Sequence, residues 1–474
     1  MISCNRSVPT LQQMSLVVIA VKICNDLDIK DLMKKYGPVS FVIPSREMLI
    51  FLNKEPPESS SRKMYRLYIA EKKYILFADT STYWASRNFS TLFDGFYFNF
   101  YGFAASELPS MKWEELVSRK ITSLGLPNIM KNKLVPLIRC ICLEINKWQI
   151  DHKDKFRFDF AEFQRYFCWN TQGKIDRIKT AKSLINEESL PIYERYNLAR
   201  HYCFASDVFS LWEKMNSFEK QYSTYIDEND VQQVWFEYMT TKTDENSIRI
   251  CNDAMGNPLN LRAFFSLLPP TEKVGWYISF LELKVIDYED LHACLSLLEK
   301  NDQECILRKY SSKILQYYLV WPLQNEFLNV MKNVWPYMSI ENYIDVLHFI
   351  IYQRIGIGWK DFDYVWLLKE FWKQTPNNFK EFVKTHEIYQ VVLPVINCEP
   401  YKRFPNEVIL ENYKWNILKF QHIGIKYEIR RKLVSTHTHM NYGRFPEFQN
   451  IVIVRAIIRL WRVVSRLLEI WLSF

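Results

Sequence analysis

The sequence predicts a mainly α-helical protein, an irregular α-solenoid of helical hairpins with a small β-containing insert near the N-terminus. Apolar side chains recur at helical spacing in consecutive segments that short polar joints separate. Glycine is scarce, at 11 of 474 residues, which argues against many tight β turns. No segment has an apolar face that it could bury alone, so stacked hairpins are favoured. An irregular helical bundle is the competing architecture, because Trp212, Trp335 and Trp372 share no fixed period.

Residues 1–54 are predicted to form an N-terminal helical segment. Within it, residues 8–36 have a helical pattern, and the run Val8-Pro9-Thr10 offers an N-terminal cap. The apolar side chains that form a stripe along this helix are Leu11, Met14, Val18 and Val21. The apolar run at 14–21 is short and no cleavage site follows it, so a secretory signal is not predicted.

Residues 55–107 are predicted to be a linker followed by an aromatic, β-like insert. Two adjacent prolines and a run of three serines mark the linker. Aromatic and β-branched side chains then favour strands at 65–70, 73–78 and 96–101. The insert therefore interrupts an otherwise helical pattern.

Residues 108–400 are predicted to be a helical-repeat body. The Leu-Pro-Ser-Met run at 108–111 restarts the helical pattern after the insert. Helical units of similar length follow one another along the body, and each opens with a residue that suits a helix start. Three of these openings are Pro322, Ser339 and Asp361.

One helical hairpin is predicted in detail at 193–215. Side chains on one face of its first helix are Tyr196, Ala199, Tyr202 and Cys203. Ser206 and Asp207 are predicted to cap the second helix. The apolar face of that second helix contains Val208, Leu211, Trp212 and Met215.

Two stretches of the body carry a resemblance to a known family. They are 169–215 and 308–372, the second including the runs YYLVWPLQNEF, VWPYMS and GWKDFDYVWLLKEFW. Both stretches resemble a large, divergent family of arachnid proteins with helical repeats, and the likeness covers roughly residues 108–400. No activity or functional residue is assigned to that family. The resemblance therefore implies a helix-rich intracellular repeat protein and no particular chemistry.

The net charge of +8 belongs to the C-terminal end of the chain. Residues 401–474 contain thirteen Lys/Arg and five Asp/Glu, which leaves 48 of each kind in the first 400 residues. Because the body is neutral, the basic balance does not indicate nucleic-acid binding by the whole protein. No specific nucleic acid is therefore expected as a partner.

The ten cysteines include no C-x-x-C pair, and several lie within apolar helical patterns. This distribution indicates small buried side chains in a reducing compartment. Neither a disulfide framework nor a zinc site is predicted.

Two short motifs have the outward form of ligand sites. The glycines at 356 and 358 lack the third glycine and the preceding strand of a dinucleotide-binding loop, so a joint between helices is predicted. Asp361 and Asp363 have the spacing of a metal-binding carboxylate pair, but without an α/β framework Asp361 is better interpreted as a helix cap. His437 and His439, with His422, make a weaker metal candidate.

A basic run lies within the neutral body. It comprises Lys174, Arg177, Lys179 and Lys182. A solvated helix face is the plain interpretation of such a run. The functional interpretation is a contact surface for phosphate or for an acidic partner.

The last two segments are a basic connecting segment at 401–448 and an amphipathic C-terminal helix at 449–474. Basic side chains of the helix recur every three or four positions in one narrow line, and two tryptophans accompany them. These candidate membrane or partner contacts are Arg455, Arg459, Trp461, Arg462, Arg466 and Trp471. The helix could pack on the body, lie at a membrane surface, or bind a partner helix. A lone membrane span is unfavourable because four arginines would be buried in lipid.

These patterns favour a non-catalytic, cytoplasmic α-helical repeat scaffold for protein–protein interaction. The expected partner is an unknown protein, and no cofactor, metal, catalytic residue or small-molecule substrate is identified. The alternative is a peripheral membrane protein that its basic C-terminal helix tethers to an anionic surface. An enzyme is the less favoured third class, because no catalytic motif is recognisable.

Overall fold

The computed structural model describes the backbone of twelve ranges of the chain, and all structural statements refer to them. These ranges are 9–53, 65–72, 100–103, 108–152, 163–202, 204–224, 265–266, 268–283, 286–399, 402–411, 417–422 and 425–433. The chain divides into two compact units, Met1–Lys432 and Leu433–Phe474. The connecting segment after 433 and the C-terminal helix predicted at 449–474 lie outside the described residues.

The prediction of a mainly α-helical protein is confirmed. The described helices are α1 Leu11–Cys24, α2 Leu27–Tyr36, α3 Ser45–Asn53, α4 Pro109–Thr122, α5 Asn128–His152, α6 Arg177–Asn186, α7 Ile192–His201, α8 Ala205–Lys214, α9 Ser217–Thr224, α10 Pro270–Leu283, α11 Tyr288–Ser296, α12 Lys300–Tyr317, α13 Phe327–Val334, α14 Ile340–Ile350, α15 Tyr364–Gln374, α16 Asn377–Thr385, α17 Tyr389–Ile396 and α18 Glu407–Glu411. Among these helices, none combines the length and the apolarity that crossing a bilayer requires.

Four strand segments form one sheet. They are β1 Tyr65–Lys72, β2 Phe100–Phe103, β3 Ile417–His422 and β4 Ile425–Leu433, in the order β2-β1-β4-β3. The pairs β1–β2 and β3–β4 are antiparallel. The strand predicted at 73–78 lies outside the described residues.

The stretch 8–36 contains two helices where the sequence pattern predicts one. Thr10 caps α1 as predicted, because its hydroxyl accepts from the backbone of Gln13 while the Gln13 side chain accepts from Thr10. The chain then bends, and Asp26 caps α2. The predicted apolar stripe is wrong: Leu11 is 79% exposed and Val18 is 68% exposed.

The side of α1 that enters the core packs on α5. Its buried residues are Leu16, Val17, Ala20, Ile23 and Cys24. Apolar residues surround α1 on all sides, so a stripe could be drawn along either face. The packing against α5 therefore decides which face is buried.

The hairpin predicted at 193–215 is formed by α7 and α8, which contact each other. Tyr196, Ala199 and Tyr202 are buried as predicted, as are Val208 and Leu211 on α8. The predicted cap is wrong, because α8 begins earlier, at Ala205, and Phe204 occupies the cap position. Asp207 instead lies in the first turn of α8 and forms an ion pair with Lys182.

The segment between α14 and α15 also differs in one detail. Ser339 caps α14 as predicted, and one π-helical turn at 351–355 leads to the glycines at 356 and 358, which join two helices as predicted. The cap of α15 is Asp363, whose side chain accepts from the backbone N–H of Trp366 at 2.9 Å. The sequence pattern predicts Asp361 as the cap, but Asp361 does not cap this helix.

Helix α3 contacts α18, more than 350 residues later in the chain. Arg46 and Glu407 form an ion pair at 2.5 Å, and the amide of Asn406 donates to buried Glu47 at 3.0 Å. Gly358 has a positive φ of 77°, and a Cβ there would lie 2.4 Å from the carboxylate of Glu47. The joint after α14 thus packs closely against α3.

Candidate ligand-binding cleft

The basic run does not form one surface, since the structure places its members in different surroundings. Lys174 forms an ion pair with Glu144, and these side chains are only 6% and 3% exposed. The backbone N–H of Ile175 also donates to Glu144, at 3.3 Å. Because both charges are buried in mutual contact, Lys174 is not a surface residue, and neither the contact-surface nor the solvated-face interpretation holds for it.

Arg177 is also internal. Its guanidinium pairs with Asp151 at 2.7 Å and lies 3.9 Å from Asp287, and Asp151 also accepts from Lys147 at 2.8 Å. Burial lowers the pKa of Arg177, but the nearby carboxylates outweigh it and raise that pKa above its ordinary value. This cluster joins α5, α6 and the segment before α11.

The two remaining members of the run are more exposed. Lys179 is 76% exposed and pairs with Asp176 at 3.2 Å within the first turn of α6. Lys182 pairs with Asp207 of α8. The four residues therefore make five ion-pair contacts with different acidic side chains, and each positive charge already has an acidic partner. The C-terminal contact candidates, from Arg455 to Trp471, lie outside the described residues, as do His437 and His439.

A cleft of about 550 Å³ lies between α4, α5 and the joint that precedes α15. Residues from four separated segments line it. They are Pro44, Glu114, Ser118, Ile121, Thr122, Lys131, Asn132, Val135, Pro136, Arg139, Gly358, Trp359 and Lys360. This volume falls within the range of about 300–1,000 Å³ that is usual for ligand pockets.

The acidic group of the cleft is already saturated by its neighbours. Glu114 accepts the backbone N–H of Ser45 at 2.9 Å, the Ser45 hydroxyl, and Arg139 Nη2 at 2.8 Å. Arg139 is buried, also donates to the carbonyl of Phe41, and lies 4.8 Å from the Trp113 ring. Burial lowers the pKa of Arg139, and Glu114 partly offsets that effect. The pair therefore forms a fixed charged wall.

Two lysines in the cleft have no such partner. Neither Lys131 on α5 nor Lys360 after Trp359 has an ion-pair partner anywhere in the described part of the chain. Together with Arg139 they give the cleft three cationic side chains against one carboxylate. The cleft is consequently electropositive within a body whose sequence is neutral.

The cleft also offers apolar surface and a backbone carbonyl that a proline cannot serve. Ile121, Val135 and the largely buried Trp359 contribute apolar walls. Pro136 lies inside α5 and has no N–H, so it cannot donate the usual helical hydrogen bond to the carbonyl of Asn132. A ligand with a carboxylate, an apolar group and an N–H donor would match these features.

A buried polar network lies directly after Lys360. Asp361 accepts from Gln324 Nε2 at 2.6 Å and from the Tyr364 hydroxyl at 3.2 Å, while its buried Oδ1 has no hydrogen-bond partner among the described residues. Burial raises the pKa of Asp361 to about 6, although Arg354 and these hydrogen bonds oppose the rise. The network thus holds the end of the joint that lines the cleft.

Sequence patterns did not reveal the cleft, because its lining residues come from positions between 44 and 360. No group of three or more His, Cys, Asp or Glu residues that could hold a metal ion occurs in the ranges described above. Comparison with protein-family models, with curated proteins and with solved structures finds no match to this chain. The cleft geometry is therefore the basis for a functional proposal.

Proposed function

We propose that this protein is a non-catalytic, cytoplasmic α-helical scaffold that binds an acidic segment of a partner protein in the cleft. The observation that carries the proposal is the pair of lysines, Lys131 and Lys360, that line the cleft without an ion-pair partner in the described ranges. Positive charge without a counter-charge attracts an acidic ligand and speeds its encounter with the cleft.

A peptide suits the cleft better than a bare anion does. Its carboxylates pair with the two lysines, an apolar side chain contacts Ile121 or Trp359, and a backbone N–H donates to the Asn132 carbonyl. Aromatic anchors in such clefts contribute much of the binding energy at protein interfaces. The combination favours a short extended segment with acidic and apolar side chains.

We also propose that the helices form an irregular solenoid of hairpins with a small β-containing insert. Consecutive pairs such as α7–α8 and α16–α17 pack on each other, which supports an irregular solenoid of hairpins. The contact of α3 with α18 is a long-range pairing that a strictly sequential stack lacks. Strands β1 and β2 lie within 55–107 and support a small β-containing insert there.

The test measures binding of dye-labelled peptides by fluorescence anisotropy. An acidic, leucine-containing peptide is compared with a neutral peptide of the same length, at low and at physiological salt. We expect the acidic peptide to bind more tightly than the neutral one, and we expect its affinity to fall as the salt concentration rises. The double variant Lys131→Glu with Lys360→Glu should lose at least about tenfold in affinity, equivalent to about 1.4 kcal/mol.

Lys133→Glu is the matched control, since Lys133 is an exposed lysine on the same helix that does not line the cleft. Its effect should stay within about twofold. If Lys133→Glu weakens binding as much as the double variant does, the peptide is attracted by the positive charge of the whole surface, and the cleft is not the binding site. Equal binding of acidic and neutral peptides would also refute the proposal.

A second candidate function is attachment to an anionic membrane surface through the C-terminal segment. Its support is the sequence alone: the excess positive charge of residues 401–474 and the line of arginines at 455–466. Deletion of 449–474 should reduce co-sedimentation with vesicles that contain phosphatidylserine. Unchanged sedimentation would remove this candidate.

A further inference from the structure

Two cysteine thiols from distant parts of the chain meet in the core. Cys24 lies at the end of α1, Cys142 lies in the middle of α5, and their Sγ atoms are 3.7 Å apart. Both side chains are buried. The contact is part of the extensive packing of α1 on α5. The two sulfur atoms therefore stay close together for as long as these helices remain packed.

We propose that Cys24 and Cys142 are a disulfide-forming pair that fastens α1 covalently to α5 under oxidising conditions. A disulfide bond needs a sulfur–sulfur distance of about 2.05 Å, so each sulfur must move by roughly 0.8 Å. Movements of this size lie within the range of side-chain adjustment in a packed core. Cys140, two positions from Cys142 on α5, has no sulfur contact within the described ranges.

The surroundings keep the pair reduced in the closed core. Burial, together with the neighbouring thiol of Cys142, raises the pKa of Cys24, so the reactive thiolate is scarce. Cys24 contacts the carbonyl of Ile138 at 3.7 Å, and Cys142 contacts the sulfur of Met33 at 3.6 Å. Both thiols thus have weak acceptors nearby. Bulky thiol reagents have no direct access to either one.

The oxidant must therefore be small, and hydrogen peroxide meets that requirement. One thiol attacks the peroxide O–O bond, which gives a sulfenic acid and one water. The second thiol then attacks the sulfenic sulfur, forms the S–S bond and releases a second water. The pair loses two protons and two electrons, and the peroxide gains them. The neighbouring thiol makes the second step intramolecular and therefore fast.

The test uses the full chain, purified reduced and then treated with hydrogen peroxide. Remaining thiols are blocked with iodoacetamide, and the digest is analysed by mass spectrometry without reduction. We expect a linked peptide that contains Cys24 and Cys142 and that dithiothreitol separates. Before oxidation, iodoacetamide should modify exposed Cys305 at least tenfold faster than Cys24.

Variants make the assignment specific. Cys24→Ala and Cys142→Ala should each abolish the link, whereas Cys140→Ala, at an equally buried site on the same helix, should retain it. Circular dichroism checks that each variant is folded. Oxidation should raise the thermal midpoint of the wild type and of Cys140→Ala, and leave that of Cys24→Ala unchanged.

Two results would overturn the proposal. One is the absence of the linked peptide after peroxide treatment, both in native buffer and in urea just below the unfolding transition. The other is a link that forms only after complete denaturation, because random pairing of ten cysteines then accounts for it.

Discussion

The buried pair of Lys174 and Glu144 makes the most decisive prediction about the basic run. In Lys174→Ala the ammonium group disappears, and Glu144 remains in a site that leaves it only 3% exposed. Within the described part of the chain, its remaining hydrogen bond is the 3.3 Å contact from the N–H of Ile175. Removal of one partner from a buried ion pair destabilises a protein by about 3–5 kcal/mol, and we expect a loss of this size.

Lys179→Ala is the matched control, since it removes the same side chain five positions later. Lys179 is 76% exposed and its partner is three residues away, so the expected loss is at most about 0.5 kcal/mol. A third variant, Lys174→Met with Glu144→Leu, replaces the pair by apolar side chains. It should recover most of the loss, because no buried charge remains unpaired.

Urea unfolding followed by tryptophan fluorescence measures all three variants against the wild type. The difference between the Lys174 and Lys179 variants should exceed about 2 kcal/mol in the free energy of unfolding. Equal, small losses for both single variants would refute the argument, because they would show that Lys174 is solvated.

Three further predictions concern single sites. As the pH rises from 4 to 7, the free energy of unfolding of the wild type should fall by up to about 3 kcal/mol relative to that of Asp361→Asn. Urea titration of both proteins at each pH measures this difference. The sign follows because Asp361 has a pKa of about 6 when folded, so the native state binds the extra proton and becomes less stable as the pH rises. Gly358→Ala should destabilise the protein by at least about 1 kcal/mol more than Gly125→Ala, because Gly125 has a similar φ but open space around it. Thermal unfolding measures both variants, and equal losses would show that the clash with Glu47 is unimportant. Thr10→Ala should cost about 1 kcal/mol, seen as faster amide hydrogen exchange in the first turn of α1, and unchanged exchange would contradict a role for the capping box.

Helix caps show which parts of the fold a sequence pattern can predict. Thr10 and Ser339 were predicted as caps and are caps, because the hydrogen bond of a cap joins residues only two or three positions apart. The choice between Asp361 and Asp363 could not be made in this way. Either carboxylate could accept the bond, and the burial of Asp361 depends on Gln324, which is 37 residues away.

The burial of α1 marks a second limit. Leu11 and Val18 have helical spacing and an apolar character, yet they face solvent. A periodic pattern selects a buried face only when the opposite face is polar. In α1 both faces are apolar, so the information that decides the burial lies in α5.

The basic run and the cleft show that local sequence patterns do not predict which charged side chains are paired in the folded protein. The partner of Lys174 is thirty residues earlier in the chain, and no local spacing announces it. The cleft lysines, Lys131 and Lys360, come from segments more than 200 residues apart. The sequence contains the charges but not their neighbours, so only the folded arrangement distinguishes a paired lysine from an unpaired one.

The contact between α3 and α18 has a consequence for the synthesis of the protein. Arg46 leaves the ribosome 361 residues before Glu407, and elongation at about 5–20 residues per second takes roughly 20–70 s to cover that distance. During this time the surface of α3 that α18 covers has no partner. A chaperone that binds nascent chains can occupy that surface, and a chain that ends before residue 407 exposes it permanently.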